Sequence, residues 1–459
     1  MHEQDVIGGT VSALSAALAL AAEGVVVRLL SPARFGGGFA AVEVGGRRVE
    51  LGSRLIELSY GDVGSSDCPP LVDYRPGPHG HRPYIELVDG EVRSLAGAGL
   101  VPVEPALVQS GGRRVHDWIL DGTLDGAIEL MSTSELAAVR AEAQASERTW
   151  GRSGWFADPA RLWSTNLLEA GQCQTGTTFH HRFIEGFASR LLEGGSSSVV
   201  AGLHRKIWMP LFWPGTLVDA LRGPGVDPPN RPSWSVAGGG MSVLVDALVD
   251  RVIAEPRIEV REVGQLTSIG RDAVATRCGF ADGSTVLSDR PIVGVPSAEL
   301  FEAAAVRYSS DLAISALCWI ELPSGSPLPD VMWVLGADEP VIRMSRSHGD
   351  DSDRPVVCCE LAWWCDEREL ADAAIAQLCR SGVLESRDDA RVLGVVRRPS
   401  FAVPSAANRA AFEVASSALA ALDLQVEMVG PACEFGADSF NEQLVSGWAG
   451  AARMSWVAR

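Results

Sequence analysis

The residues best suited to chemistry stand at the start of the chain. Gly8-Gly9-Thr10 follows Asp5-Val6-Ile7 and precedes Val11, Leu14 and Leu18, which recur at helical spacing. A glycine turn between a strand and a helix lets the backbone approach a ligand closely. The first amides of the helix then face an anion, a phosphate above all. A second glycine run, Gly36-Gly37-Gly38, comes shortly after Arg34. Further along, His181 and Glu185 stand four residues apart on a helix; as a metal pair they lack a third ligand, and such a match is more often an exposed polar face. His204-Arg205-Lys206 beside Trp208 suits an anionic substrate or a solvated turn. Asp350-Asp351-Ser352-Asp353 lacks the ligand spacing of a calcium loop and reads as solvated. No G-x-S-x-G elbow for a nucleophilic serine occurs.

These residues need elements to position them. The alanine- and leucine-rich segment from Val11 favours a helix, and Glu23-Gly24 stops it. The β-branched and aliphatic run at 25–30 suits a buried parallel strand, completing a strand–helix–strand unit with glycines at its first junction. Residues 61–82, dense in Gly, Pro, Ser and Asp, read as irregular connection. Residues 117–205 read as mainly helical, with one start near Ser134. Trp150, Trp155, Trp163, Trp208, Trp213 and Trp234 point to an aromatic-rich core, or to an apolar substrate cavity. After Gly238-Gly239-Gly240, one helical face carries Met241, Leu244, Val245, Leu248 and Val252. A strand at 258–260, a hairpin turning on Asp282-Gly283 and a strand at 291–296 follow.

Composition narrows the function. With 39 basic against 58 acidic residues, the net charge of -19 disfavours nucleic acid and anionic lipid surfaces as partners. No run reaches the roughly 18 apolar residues of a membrane span, and the short apolar run at 11–22 lacks the flanks of a signal peptide. Nine scattered cysteines without a C-x-x-C pair predict reduced thiols in a cytoplasmic protein rather than a disulfide framework or zinc site.

Five blocks in order give the chain a resemblance to the flavoprotein family of amine oxidases, protoporphyrinogen oxidases and UDP-galactopyranose mutases. The first is residues 5–14 with the glycine turn. The second is Arg34-Phe35-Gly36-Gly37-Gly38-Phe39 with Val49-Glu50-Leu51-Gly52-Ser53. The third runs from Gly239-Gly240-Met241 to Val295-Pro296-Ser297. The fourth, Val341-Ile342-Arg343-Met344-Ser345 with Glu360 and Phe401-Ala402-Val403-Pro404, resembles the mutase-like branch. The fifth joins Val429-Gly430-Pro431, Ser439-Phe440-Asn441 and Ser446-Gly447.

The resemblance implies an α/β fold: a Rossmann-like FAD/NAD(P)-binding domain interleaved with a substrate domain of mixed sheet and helices. Its expected bounds are 1–60 with 235–300 and 420–459 for the first, and 61–234 with 301–419 for the second. It implies FAD held by Gly8, Gly9, Thr10, Ser12, Ala13, Ser31, Arg34, Gly37, Gly38, Gly430 and Phe440, and a substrate-contacting charge at Arg343, for which an ion pair with Glu360 is the structural reading. The sequence departs from the family at Thr10 and Ala13, where the turn has glycines. It departs again at Ser31, where an acidic residue would hold the ribose, and at Pro431, where the mutase-like branch has arginine. Ser31 with Arg34 also suits a 2'-phosphate. The expected activity is an FAD-dependent oxidoreductase acting on a small or medium organic substrate. A mutase-like flavin isomerase stands beside it, as does a cofactor-free pseudoenzyme that pairs with a related active flavoenzyme.

Overall fold

The computed structural model describes residues 3–58, 81–119, 124–209, 212–222, 233–272, 275–348, 353–433, 435 and 439–457. Residues 61–80 of the expected loop, Cys68 and residues 350–352 lie outside the described residues, and the last two residues of that loop, His81 and Arg82, instead open the helix His81–Ala96.

The first strand, Glu3–Ile7, pairs in parallel with Val26–Ser31 on one side and Ile292–Val293 on the other. Ile258–Glu262 and Glu427–Met428 extend the sheet at its two edges, also in parallel. Numbered along the chain, the five strands run third, second, first, fourth, fifth. That is the doubly wound order, in which ligands settle beyond the strands' carboxyl ends where the winding reverses, here between the first and fourth strands. The helix Val11–Ala22 is apolar nearly all round, and Val11, Ala13, Leu14, Ala16 and Ala17 are wholly buried. It is sandwiched among the sheet, the helix Met241–Ala254 and the C-terminal helix Phe440–Val457, where small residues let helices approach. A Cβ on Gly447 would overlap Ser15 Oγ and the Ser12 carbonyl.

A seven-stranded mixed sheet stands beside it, in the order Arg391–Ala402, Leu312–Glu321, Val356–Leu361, Val341–Ser347, Val331–Val334, Leu107–Ser110, Arg113–His116. Only the contact between Val331–Val334 and Leu107–Ser110 is parallel. On one face lie helices that include Leu370–Arg380, in the largest core cluster. On the other, Trp319, Leu317, Val356 and Cys358 pack against the hairpin of Val42–Val44 and Arg47–Val49. The fold is thus α/β, with a Rossmann-like parallel sheet whose strands are interleaved along the chain with those of a mixed sheet.

Local expectations hold in detail. The helix after Gly240 runs Met241–Ala254 with the expected buried face. The strands Ala275–Phe280 and Thr285–Ser288 flank the turn at Asp282-Gly283, where Gly283 has φ +86° and Asp282 Oδ1 accepts the Ser284 amide at 2.8 Å. The helix expected near Ser134 starts at Thr133, because Ser132 and Glu135 form a reciprocal capping box. One expectation fails. A π-helical turn at His181–Glu185 brings His180, not His181, to within 3.6 Å of Glu185, because its wider winding aligns residues five apart. His180 also meets Ser196 Oγ at 3.0 Å, while His181 faces Gln172. Among the described residues no three metal-ligating side chains cluster, none of the cysteines forms a disulfide, and no helix is long and apolar enough to cross a membrane.

Candidate functional site at the winding reversal

The glycine turn sits where the parallel sheet reverses its winding. Gly8, at φ +122°, donates its amide to Leu30 O at 2.8 Å, and a Cβ there would meet Gly294 O at 2.9 Å. Gly9 is buried, and its carbonyl accepts the Gly36 amide at 2.7 Å, so the loop after the second strand folds back over the turn. Both positions need glycine because backbone lies directly against them.

Thr10 is the N-cap of the first helix: its Oγ1 accepts the Ala13 amide at 3.4 Å. The same hydroxyl donates to Gly294 O at 2.8 Å, across the crevice between the first and fourth strands. The Ser12 amide donates to Gln443 Oε1, from the C-terminal helix, at 3.3 Å. Gly430 presses so closely on Ser12 that a Cβ there would overlap Ser12 Oγ, and its own amide donates to Ser446 Oγ at 2.7 Å. Val11, Ser12 and Ala13, the first helical turn, are each 0% exposed, packed in the core beneath this point. A pyrophosphate at this helix needs those amides turned toward an open crevice. Here the chain's own side chains bond two of them and bridge the crevice, so the residues present do not fit FAD in the Rossmann position.

The remaining expected cofactor residues spread outward from this point. Ser31 ends the second strand, 1% exposed, with its carbonyl accepting the Val263 amide and its hydroxyl without a partner. It offers no carboxylate to a ribose. Arg34 is exposed and donates to the Ala41 carbonyl at 2.7 Å, so its guanidinium braces its own loop. Gly37 and Gly38 are exposed in a single turn, Gly37–Phe39. Phe440 opens the C-terminal helix and packs edge-on against Phe39 at 6.0 Å.

Arg343 stands apart, in the mixed sheet. It is 8% exposed, makes a two-pronged ion pair with Glu360 at 2.8 and 2.6 Å, and lies 4.7 Å from the rings of both Trp208 and Trp333. Trp208 holds the left-handed conformation at φ +64°, an unusual state for a bulky residue. Of the basic cluster before it, Lys206 reaches Glu442 at 3.5 Å, and the Arg205 side chain lies outside the described residues. Glu360 also accepts the Ser53 amide at 3.0 Å. Next to it Arg54 donates to Gly38 O at 3.0 Å and lies over the Phe39 ring at 5.2 Å, linking the glycine loop to the charged cluster. Burial pushes the Arg54 guanidinium down, against the pull of Glu50 and Glu360.

Two side chains that organise this region escape a reading of the sequence for function, Gln443 and Arg54, and a third, Glu50, is read there only as part of a family block. Glu50 Oε1 accepts the Met241 amide at 2.8 Å at the start of the helix after Gly240, and burial pushes its carboxyl up to about 7.

No protein-family model matches the chain, and no curated protein does either. Solved structures do. A reduced UDP-galactopyranose mutase superposes with a TM-score of 0.71 at 14% identity, over 100% of this chain and 96% of that one. A protein described as a protoporphyrinogen oxidase from Exiguobacterium gives 0.63 at 14%, over 99% of each chain. Wild-type putrescine oxidase bound to putrescine gives 0.61 at 14%, over 100% and 99%. Such low identity speaks for fold and not for activity: this chain shares the fold of these proteins.

Proposed function

We propose that this chain is a cofactor-free member of the flavoenzyme fold, working in the cytoplasm as the partner subunit of a related active flavoenzyme. The observation that carries this reading is that the chain's own side chains hold the Ser12 and Ala13 amides, through Gln443 and Thr10, while Thr10 bridges to Gly294. The missing acid at Ser31 and the missing arginine at Pro431 agree with it. So does Arg343, whose charge is answered by Glu360. Titrating FAD into the purified chain should leave flavin fluorescence unquenched. Light scattering of the chain co-expressed with same-fold flavoenzymes of its own cell should find a stable hetero-complex. Stoichiometric quenching, or a chain that stays monomeric with all of them, would contradict the reading.

A second reading rests on Gly37 and Gly38, which remain exposed, and on the Trp208–Arg343–Trp333 stack. On it the chain is an FAD-dependent oxidoreductase, or a mutase-like isomerase, taking a small or medium organic substrate beside Arg343. Reduction of added FAD by a substrate in a chain that does quench it would favour this reading.

A further inference from the structure

The dinucleotide seat in this chain is taken over rather than eroded, and the geometry points to two side chains, Gln443 and Thr10, that exclude a nucleoside diphosphate by standing in its place. This rests on the cofactor-free reading and adds what closes the seat and what would open it.

A diphosphate at a Rossmann turn does two things: its oxygens accept the first amides of the helix, and its bulk separates the turn from the fourth strand. Both roles are filled from within. Gln443 Oε1 accepts the Ser12 amide at 3.3 Å. Gln443 is held there because the C-terminal helix is firmly started: Ser439 Oγ accepts the Glu442 amide at 3.0 Å and Glu442 Oε2 accepts the Ser439 amide at 3.3 Å, with Gln443 the next residue. Gln443 as a whole is 6% exposed. Thr10 Oγ1 accepts the Ala13 amide at 3.4 Å and bonds Gly294 O at 2.8 Å, while its methyl lies 3.5 Å from the Cβ position of Gly37. A carboxamide oxygen and a hydroxyl thus satisfy the helix without anionic charge, and no diphosphate reaches the amides while both stay. The main chain around them keeps the form such a ligand requires: Gly8, Gly9 and Gly37 are still glycine, and the twelve-residue helix still points its N-terminus at the winding reversal.

The test uses the full chain, its Gln443→Ala variant and the Thr10→Gly/Gln443→Ala double variant, with ADP and FAD as probes. Hydrogen exchange at the Ser12 amide reads the Gln443 contact directly. It should quicken at least tenfold in Gln443→Ala, and unchanged protection there would overturn the inference even if the double variant failed to fold. In the folded double variant, ADP should restore the protection and bind at least tenfold more tightly than to the parent. A folded double variant indifferent to both probes would overturn the inference and leave the cofactor-free reading standing. FAD uptake by the unaltered chain would overturn both.

Discussion

Glu50 gives a sharp test of how the two sheets are joined. Its backbone amide donates to Ser347 Oγ at 3.0 Å, and its carbonyl accepts the Trp319 indole N–H at 2.9 Å, both in the mixed sheet. Its carboxylate accepts the Met241 amide at 2.8 Å and the His348 amide at 3.4 Å. The residue is 2% exposed, and burial outweighs those amides and nearby Arg54, so the carboxyl titrates at about 7. In the unfolded chain it titrates at about 4.3. Between these values the folded protein holds a proton that the unfolded chain releases, so this group's contribution is most favourable below about pH 4.3 and is lost as pH rises to 7. A difference of roughly 2.7 units at 1.36 kcal/mol each makes ionised Glu50 cost about 3.5 kcal/mol above pH 7. Glu50→Gln removes the charge, keeps the acceptor for Met241 and turns an N–H toward His348. The variant should match the parent near pH 5 and exceed its urea stability by about 2.5 kcal/mol at pH 8, the lost His348 bond taking back about 1. Other titrating groups cancel in that difference. A variant uniformly less stable, or increasingly so as pH rises, would refute the reasoning and make Glu50 an ionised partner of Arg54.

Other outcomes follow from packing. Gly447→Ala puts a methyl into Ser15 and Ser12 at the closest approach of two helices, and should cost about 2–3 kcal/mol in denaturant unfolding. Gly90→Ala, on an exposed stretch of the helix His81–Ala96 with open space around it, should instead stabilise by up to about 1 kcal/mol. Arg190 is buried and donates to the carbonyls of Gly186, Val334, Glu339 and Val341, and burial lowers its guanidinium to about 10. Arg190→Met strands those acceptors and should cost at least about 3 kcal/mol, read as a clear fall in Tm. Ser132→Ala, which opens the capping box, should cost only about 1 kcal/mol.

Much of the parallel-sheet unit was legible because its signals are local. The glycine turn, the apolar helix after it, the aliphatic second strand and the amphipathic face from Met241 each announce themselves within about a dozen residues. The departures at Thr10, Ser31 and Pro431 were equally plain, since each stands at a position where backbone geometry or charge is demanding. What closes the turn was not legible. Ser12 and Gln443 are 431 residues apart, and a glutamine early in a helix carries no mark of its partner. Arg343 with Glu360 was readable as a pair, but the two tryptophans stacked on it come from a distant loop and a neighbouring strand. His181 misled because helical spacing presumes an α-helix, and nothing in His180-His181-Arg182-Phe183 signals a π-turn.

The most direct measurement is the visible absorption spectrum of the chain purified from a flavin-replete cell and again after incubation with excess FAD and desalting. A first helical turn sealed by Thr10 and Gln443 predicts a colourless protein in both cases. A yellow protein carrying stoichiometric flavin after desalting would contradict it, and would mean that the crevice between Thr10 and Gly294 opens to admit the cofactor.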